Sequence, residues 1–327
     1  MRRGLGVSED LAMEVQADIA RAAEAAGFSS LWTNEASGRD ALLLCQWWAA
    51  ATRTIDVGVG VVPIWTRSPA QLAMASATLQ ETSGGRFLLG LGVGHPATMG
   101  PGHGATYRRP LTATAELLDI LSEIDATGAC DVQGEVMRCE RFRLRIAGAR
   151  LPTRRYVAAM GPRMLELAGR RGQGVLLNWS DPDEIARAGQ RVRAAAHTLD
   201  RTCEVAAYVR VAVADDRDDA RAALATQVTQ YARLDAYRRH FERQGHGRGV
   251  ARALEARSAG ADGRALAAAL GDDVLDALGW AGSPRDASSL QDRFTDAGLD
   301  HLIARVVVVG DDAKASVDAV IACLGAA

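Results

Sequence analysis

The sequence predicts an α/β fold, a closed (β/α)8 barrel with insertions. Three observations predict it. Short apolar β-type runs alternate with alanine-rich helical stretches, the pattern of a parallel sheet covered by helices. Eight such runs can be counted, each followed by helical sequence, which favours a closed barrel over an open sheet. The 327 residues exceed the roughly 250 typical of that barrel by enough for insertions.

Taken in order, the first strand is expected at 5–7, with a helix over 9–26 that stops at Gly27. A second strand follows at 30–34 and a helix at 40–51. Residues 55–62 read as the third strand, and Pro69 opens the helix 71–81 at its first turn. The fourth strand is 86–93, before a helix at 111–125 and a hairpin through 132–145 with Gly134 at its turn. Strand five is 155–160 with a helix at 163–171, and strand six is 174–178. A helix at 182–199 is announced by Ser180 and Asp181 as caps. Strand seven is long, 204–213. Residues 215–278 carry no strand signal and read as several helices, a helical insertion at about 215–280. A helix at 286–297 and strand eight at 302–309 close the pattern. With no linker and no internal repeat, residues 1–327 are expected to form one domain.

Composition narrows the function. A 48% hydrophobic and 24% charged chain is that of a soluble globular protein, and a formal charge of -2 offers no basic field for nucleic acid or an anionic membrane. The cysteines Cys45, Cys130, Cys139, Cys203 and Cys323 are scattered and never form a CxxC pair. No structural metal site or disulfide framework is expected, and a reducing cytoplasm is the default. No apolar run is long enough for a signal peptide or a membrane span. Lys314 is the only lysine, so no phosphate-binding GxxxxGK[ST] loop exists. HExxH and GxSxG are absent too, which leaves redox or cofactor chemistry ahead of zinc hydrolysis and serine catalysis.

In such a barrel the active site is built from loops at the C-terminal strand ends. Those ends hold Asn34-Glu35, the segment Val62-Pro63-Ile64-Trp65-Thr66-Arg67, Gly92-Val93-Gly94-His95, Ala159-Met160-Gly161-Pro162-Arg163 and Asn178-Trp179. Glycine is dense at the ends of strands three to five, where backbone could approach a flat ring or a phosphate. It could equally relieve crowding in a tight barrel. Gly90-Leu91-Gly92-Val93-Gly94 looks like a dinucleotide fingerprint, but His95 stands where the third glycine belongs. A lone loop histidine such as His95 is more often solvated than catalytic. Trp47-Trp48 lie within a helix and read as packing. His240, Arg243, His246 and Arg248 sit in the helical insertion and read as a solvated or lid surface.

At this point the residues carry a family. Gly84-Gly85-Arg86-Phe87-Leu88-Leu89-Gly90-Leu91-Gly92-Val93-Gly94 strongly resembles the strand-four signature of luciferase-like flavin and coenzyme F420-dependent oxidoreductases. Gly27-Phe28-Ser29-Ser30-Leu31-Trp32 is similar to their second strand. Thr52 through Val61 resembles their third strand, and Pro63 through Pro69 the loop beyond it. Ala158-Ala159-Met160-Gly161-Pro162-Arg163 through Gly169, with Gly174 through Asn178, resembles strands five and six. Gly282-Ser283-Pro284-Arg285 through Asp300 is similar to the last helix and strand. The resemblance covers nearly the whole chain and is specific as a set. The fifth-strand motif looks most like the methylenetetrahydromethanopterin-reductase-like branch.

The resemblance implies a ring stacked over the end of strand three, at Gly60, Val61 and Val62, beside a non-proline cis peptide at Gly60–Val61. It implies a cofactor phosphate and side chain lined by Gly92, Val93, Gly94 and His95. It further implies that Ala159, Met160, Gly161, Pro162 and Arg163 close the other side, the amides at the helix start favouring an anion. Arg163 stands where the family commonly has lysine, keeping the charge and adding a fork geometry. Ile64, Trp65, Asn178 and Trp179 are the expected substrate lining, suited to an apolar small molecule. One departure matters: where many deazaflavin enzymes carry Asp-His, this chain has Glu35-Ala36. Glu35 is therefore the candidate acid or base; the alternative is that it anchors a loop through Asn34, Ser37 or Arg39.

The activity implied first is hydride transfer between coenzyme F420 and a small organic substrate. An FMN-dependent monooxygenase on the same barrel is the second reading, and a non-catalytic flavin-binding barrel or partner subunit the third. A cytoplasmic homo-oligomer, a dimer, with no nucleic-acid or membrane partner is expected.

Overall fold

Proline, glycine and short polar side chains set the boundaries of the elements in the computed structural model, which describes residues 1–146, 151–284 and 288–325. The chain runs β1 (Arg2–Gly6), α1 (Met13–Ala25), β2 (Ser30–Thr33), α2 (Ala41–Ala51), β3 (Asp56–Pro63), α3 (Pro69–Ser83), β4 (Phe87–Gly92), α4 (Pro96–His103) and α5 (Pro110–Thr127). An antiparallel hairpin follows, β5 (Ala129–Gln133) and β6 (Arg138–Arg143). Then come β7 (Arg154–Ala158), α6 (Pro162–Arg171), β8 (Gly174–Asn178), α7 (Pro182–His197) and β9 (Glu204–Val213). Five helices succeed them: α8 (Arg217–Ala232), α9 (Asp235–Arg243), α10 (Gly247–Ser258), α11 (Gly263–Leu270) and α12 (Asp272–Leu278). The described chain continues with β10 (Gly279–Gly282), α13 (Ser288–Asp296), β11 (His301–Val306) and α14 (Ala313–Leu324).

The main sheet has the order β10-β9-β11-β1-β2-β3-β4-β7-β8, with β8 also paired to β9. That is the ring of eight parallel strands of a (β/α)8 barrel, with β10 as a short extra strand beside the last four residues of β9. The chain divides into two compact units. One comprises residues 30–176 and 191–204, the other 1–29, 177–190 and 205–327.

In the unit holding residues 30–176, parallel pairing runs from β2 through β3 and β4 to β7. Its interior is built on Trp32, fully buried, against which Tyr156 packs edge-on at 5.3 Å between ring centroids. Gly58 is required there, because a Cβ would stand 2.8 Å from the Trp32 ring. Arg86 fixes the start of β3 by donating to the Ile55 carbonyl at 2.6 Å and to Ala49 at the end of α2 at 3.0 Å. α3 opens with a capping box, Ser68 accepting from the Gln71 amide while Gln71 accepts from the Ser68 amide, and Pro69 begins the helix. The register between β3 and β4 shifts between Val59 and Val62, and the Gly60–Val61 peptide is cis as the family pattern implies.

In the other unit β11 lies between β1 and β9, so that Gly6, Arg305 and Arg210 come into line across three strands. Helix α8 is tied to α12 by Arg221, which is buried and reaches Asp272 at 2.5 Å and Asp276 at 2.7 Å.

Several boundaries differ from the sequence expectation. α1 starts at Met13, not at residue 9, because Gln16 turns back to the Ser8 carbonyl and Glu9 is buried in the turn before it. Pro110 and Pro162 begin α5 and α6 themselves. The hairpin is displaced toward the N-terminus, with Glu116 of α5 accepting amides of Glu135, Val136 and Met137 at its turn. α4 and β10 were not expected: glycine-rich Pro96–His103 lacks an apolar period, and Gly279–Gly282 is too short to signal. Arg285, Asp286 and Ala287, parts of the predicted last helix and its approach, lie outside the described residues.

Candidate active site

The loops after β2, β3, β4 and β7 belong to one compact unit, and polar contacts stitch the first three to each other. Glu35 follows β2, and its amide donates to the Val61 carbonyl at 3.3 Å. Its carboxylate Oε1 accepts from Arg67 at 2.6 Å and from the Thr66 hydroxyl at 3.3 Å, while the second guanidinium nitrogen of Arg67 reaches Asp40 at 2.5 Å. Burial works to lower Arg67, but Glu35 and Asp40 outweigh it and hold the guanidinium above its ordinary range. The anchoring of Glu35 therefore runs to the β3–α3 loop and not to its near neighbours Asn34, Ser37 or Arg39. Glu35 Oε2 is buried with no hydrogen-bond partner among the described residues.

Two cavities lie here and share Thr66 and Arg67 as a common wall. One, about 670 Å³, is lined by Glu35, Ala36, Arg39 and His103 besides that wall. The other, about 520 Å³, is bordered by Ile64 and Trp65 and by Val136 and Met137 of the hairpin turn. Ile64 is buried, while Trp65 is half-buried and packs on Tyr107 at 5.3 Å. The indole Nε1 of Trp65 donates to the Val93 carbonyl at 2.8 Å, which fixes the loop after β4 against the loop after β3.

The glycines of β4 answer to close approach. A Cβ at Gly90 would meet the Val59 carbonyl oxygen at 2.3 Å, and one at Gly92 would meet Val61 Cγ2 at 2.5 Å. Gly94 has φ +61, a left-handed turn that glycine takes without steric cost. His95 then becomes the cap position of α4. Its side chain makes no cap bond to the helix, and burial lowers its pKa. It is half-buried, not the solvated loop histidine that the sequence suggested.

β7 pairs β4 directly, and its end repeats the arrangement. Ala159 is buried and its amide donates to Leu176 at 3.3 Å, with Met160 next in the chain. Gly161 is the cap position of α6, again without a side-chain cap, and a Cβ there would meet nothing within 4 Å. Pro162 opens the helix. Arg163 is exposed and makes no hydrogen bond or ion pair among the described residues. Two adjacent strand ends thus present two proline-opened helices whose first amides lack side-chain caps. Such amides, with the helix dipole, favour an anion.

Asn178 and Trp179, the other expected substrate residues, belong to the second unit and sit in a buried polar-aromatic cluster. Asn178 donates to the Tyr237 hydroxyl at 2.6 Å and accepts from Arg210 through Oδ1. Trp179 has φ +55 and is fully buried, with the Arg210 guanidinium 4.1 Å above its ring. Close by, Ser180 is not a helix cap: its hydroxyl faces His240 Nε2 at 3.4 Å, and Asp181 alone caps α7 through the Glu184 amide at 2.7 Å. His240 is buried and His246 pairs with Asp181 at 2.8 Å, so the insertion histidines are internal ties and not a solvated surface. Arg210, Arg305, Tyr231 and Tyr237 are not among the residues that the sequence pattern singles out. The available signal was a charged residue inside each of two otherwise apolar strands, Tyr208-Val209-Arg210-Val211 and Ile303-Ala304-Arg305-Val306.

The family model described as luciferase-like monooxygenase matches residues 3–321. The chain is 30% identical over 295 residues to 5,10-methylenetetrahydromethanopterin reductase of Methanolobus tindarius, covering 88% of this chain and 89% of that one. It is 29% identical over 302 residues to the reductase of the same name from Archaeoglobus fulgidus, covering 90% of each. Among solved structures, the coenzyme F420-dependent tetrahydromethanopterin reductase of Methanopyrus kandleri superimposes with a TM-score of 0.81 at 23% identity, over 98% of this chain and 97% of that one, a likeness of fold.

Proposed function

The chain belongs to the luciferase-like monooxygenase family, and from that premise we propose that it is a coenzyme F420-dependent oxidoreductase acting on a small organic molecule. The observation that carries a phosphate-bearing cofactor is the pair of uncapped helix starts after the neighbouring strands β4 and β7. The reductase relatives, similar over about nine-tenths of the chain, support the deazaflavin as that cofactor.

The residues fit the group in three ways. Backbone at Gly60, Val61 and Val62, where the strand register shifts, is the ring platform. Amides of Gly92, Val93, Gly94 and His95 on one side, and of Met160, Gly161 and Arg163 on the other, hold the phosphate and side chain; Ala159, its own amide bonded to Leu176, backs that second group, and Pro162 presets the helix start. Arg163 adds a free guanidinium to the second group. When bound, the deazaflavin supplies a ring carbon that gives or takes a hydride and cannot form the oxygen adduct a monooxygenase needs.

Glu35 is the group that holds or moves the proton. Arg67 and Thr66 fix Oε1, leaving Oε2 as the atom for proton exchange. Ile64 and Trp65 form the apolar wall that orients substrate and excludes water. Asn178 and Trp179 serve the substrate through the cluster around Arg210. A homodimer is supported by exposed Leu43 and Trp47 on α2 and Met74 on α3.

The test is turnover under two atmospheres. Protein loaded with oxidised deazaflavin should bleach the cofactor's absorbance with a substrate drawn from an alcohol and reduced-carbon panel, without oxygen. Oxygen uptake dependent on reduced FMN would instead favour the monooxygenase, the reaction for which the family model is named.

A further inference from the structure

β9 and β11 carry two arginines in register, Arg210 and Arg305, in the C-terminal half of their strands. In this fold that is the end at which active sites are built. Neither has a carboxylate partner among the described residues. Arg210 is 3% exposed, and its hydrogen-bonding partner is the neutral Asn178. Among the described residues its Nε has no partner; nor do the buried Nη1 of Arg305 and the buried indole Nε1 of Trp179.

A buried guanidinium without a carboxylate is costly, and a second one on the adjacent strand adds like-charge repulsion. Burial, and then the Arg305 charge, lower the Arg210 pKa. The aromatic rings relieve part of this. Trp179 lies 4.1 Å and Tyr231 5.2 Å from the Arg210 guanidinium carbon, a cation–π arrangement. Rings cover the face of a guanidinium, however, and leave its N–H edge to hydrogen-bond acceptors. No described acceptor meets Arg210 Nε or Arg305 Nη1.

Gly6 completes the setting. The Arg305 side chain runs over it, with Cδ 3.1 Å from where a Cβ would be, and the Tyr208 ring is at 3.2 Å. Arg305 is half-buried, so the pair can be reached from solvent through its outer member.

We propose that Arg210 and Arg305 form an oxyanion-binding subsite that recognises a carboxylate or phosphate group on the substrate. The proposal rests on the oxidoreductase reading for calling the ligand a substrate. Two unpaired N–H edges side by side fit the two oxygens of such a group. The Asn178–Tyr237 pair holds Arg210 in place from behind and makes Asn178 a positioning residue.

The experiment measures anion binding to the cofactor-free full chain. Benzoate, inorganic phosphate and neutral benzamide are titrated by calorimetry at constant ionic strength. Benzoate or phosphate should bind saturably, and benzamide at least tenfold more weakly. Arg305→Gln, at the less buried position, should weaken the anion at least tenfold while melting near wild type. Arg210→Lys serves as the second variant, keeping charge but losing the fork, and should also weaken binding. Failure of both anions to bind wild type, or equal binding to Arg305→Gln and wild type, overturns the subsite. Deazaflavin binding is read separately by fluorescence on the same proteins. Arg305-dependent anion binding without deazaflavin binding would sink the cofactor reading and leave the subsite; the reverse would sink the subsite alone.

Discussion

Glu35 has one carboxylate oxygen tied to Arg67 and Thr66 and the other buried without a partner among the described residues. A loop anchor needs only the first; a proton-transfer group needs both an oriented carboxylate and an available oxygen. Glu35→Gln keeps the shape and removes the charge. If the side chain moves the proton, turnover should fall by roughly 10²–10⁴ with deazaflavin affinity unchanged. A variant keeping more than about a tenth of wild-type turnover would end that role. Arg163→Ala should weaken deazaflavin binding by about 1–3 kcal/mol, as expected for a lost charge-assisted hydrogen bond; equal affinities by titration would contradict it. His240 concerns stability. Burial, and then Arg243, push its pKa down to about 4. Its unfolded value is roughly 6.5, so below that pH the unfolded chain binds the proton first and native stability falls with pH until about 4. Chemical denaturation should show this loss, of order ~3 kcal/mol at most, and His240→Gln should flatten it between those limits. A variant with the wild-type slope would show that the histidine is not its source.

At the scale of elements, β3 and β4 are the pair on which the site depends. A Cβ at Gly90 would meet the Val59 carbonyl oxygen, a backbone atom that cannot rotate away. Gly90→Ala should therefore cost about 1–3 kcal/mol of stability, measured by urea unfolding, and weaken cofactor binding with it. Unchanged stability would mean that the strands part easily. The same pair shows what was legible in advance. β4 and β9 were readable because their apolar runs are continuous and sharply bounded, and the Gly60–Val61 peptide because the surrounding motif is specific. α4 was not, since four of its eight residues are glycine or proline and carry no helical period. Nor was the burial of His240, because polarity on α9 reads as a solvated face until Ser180 and Asp181 are seen packed against its end and beyond.

For the whole molecule, the strand order and the helix after each barrel strand followed from alternation alone, since parallel strands require helical crossovers. The candidate loops were readable as strand ends. Their mutual contacts were not, because Glu35–Arg67 and Trp65–Val93 join segments about 30 residues apart through side chains that any loop could carry. The arginine pair was hidden for a like reason: Arg210 and Arg305 become neighbours only when β9 and β11 pair. The central claim, a barrel that holds a deazaflavin for hydride transfer, is tested most directly by titrating the purified chain separately with coenzyme F420 and with FMN, followed by fluorescence. The account predicts saturable F420 binding at least tenfold tighter than FMN, weakened in Arg163→Ala. Tighter binding of FMN, with F420 failing to compete for it, would contradict the account.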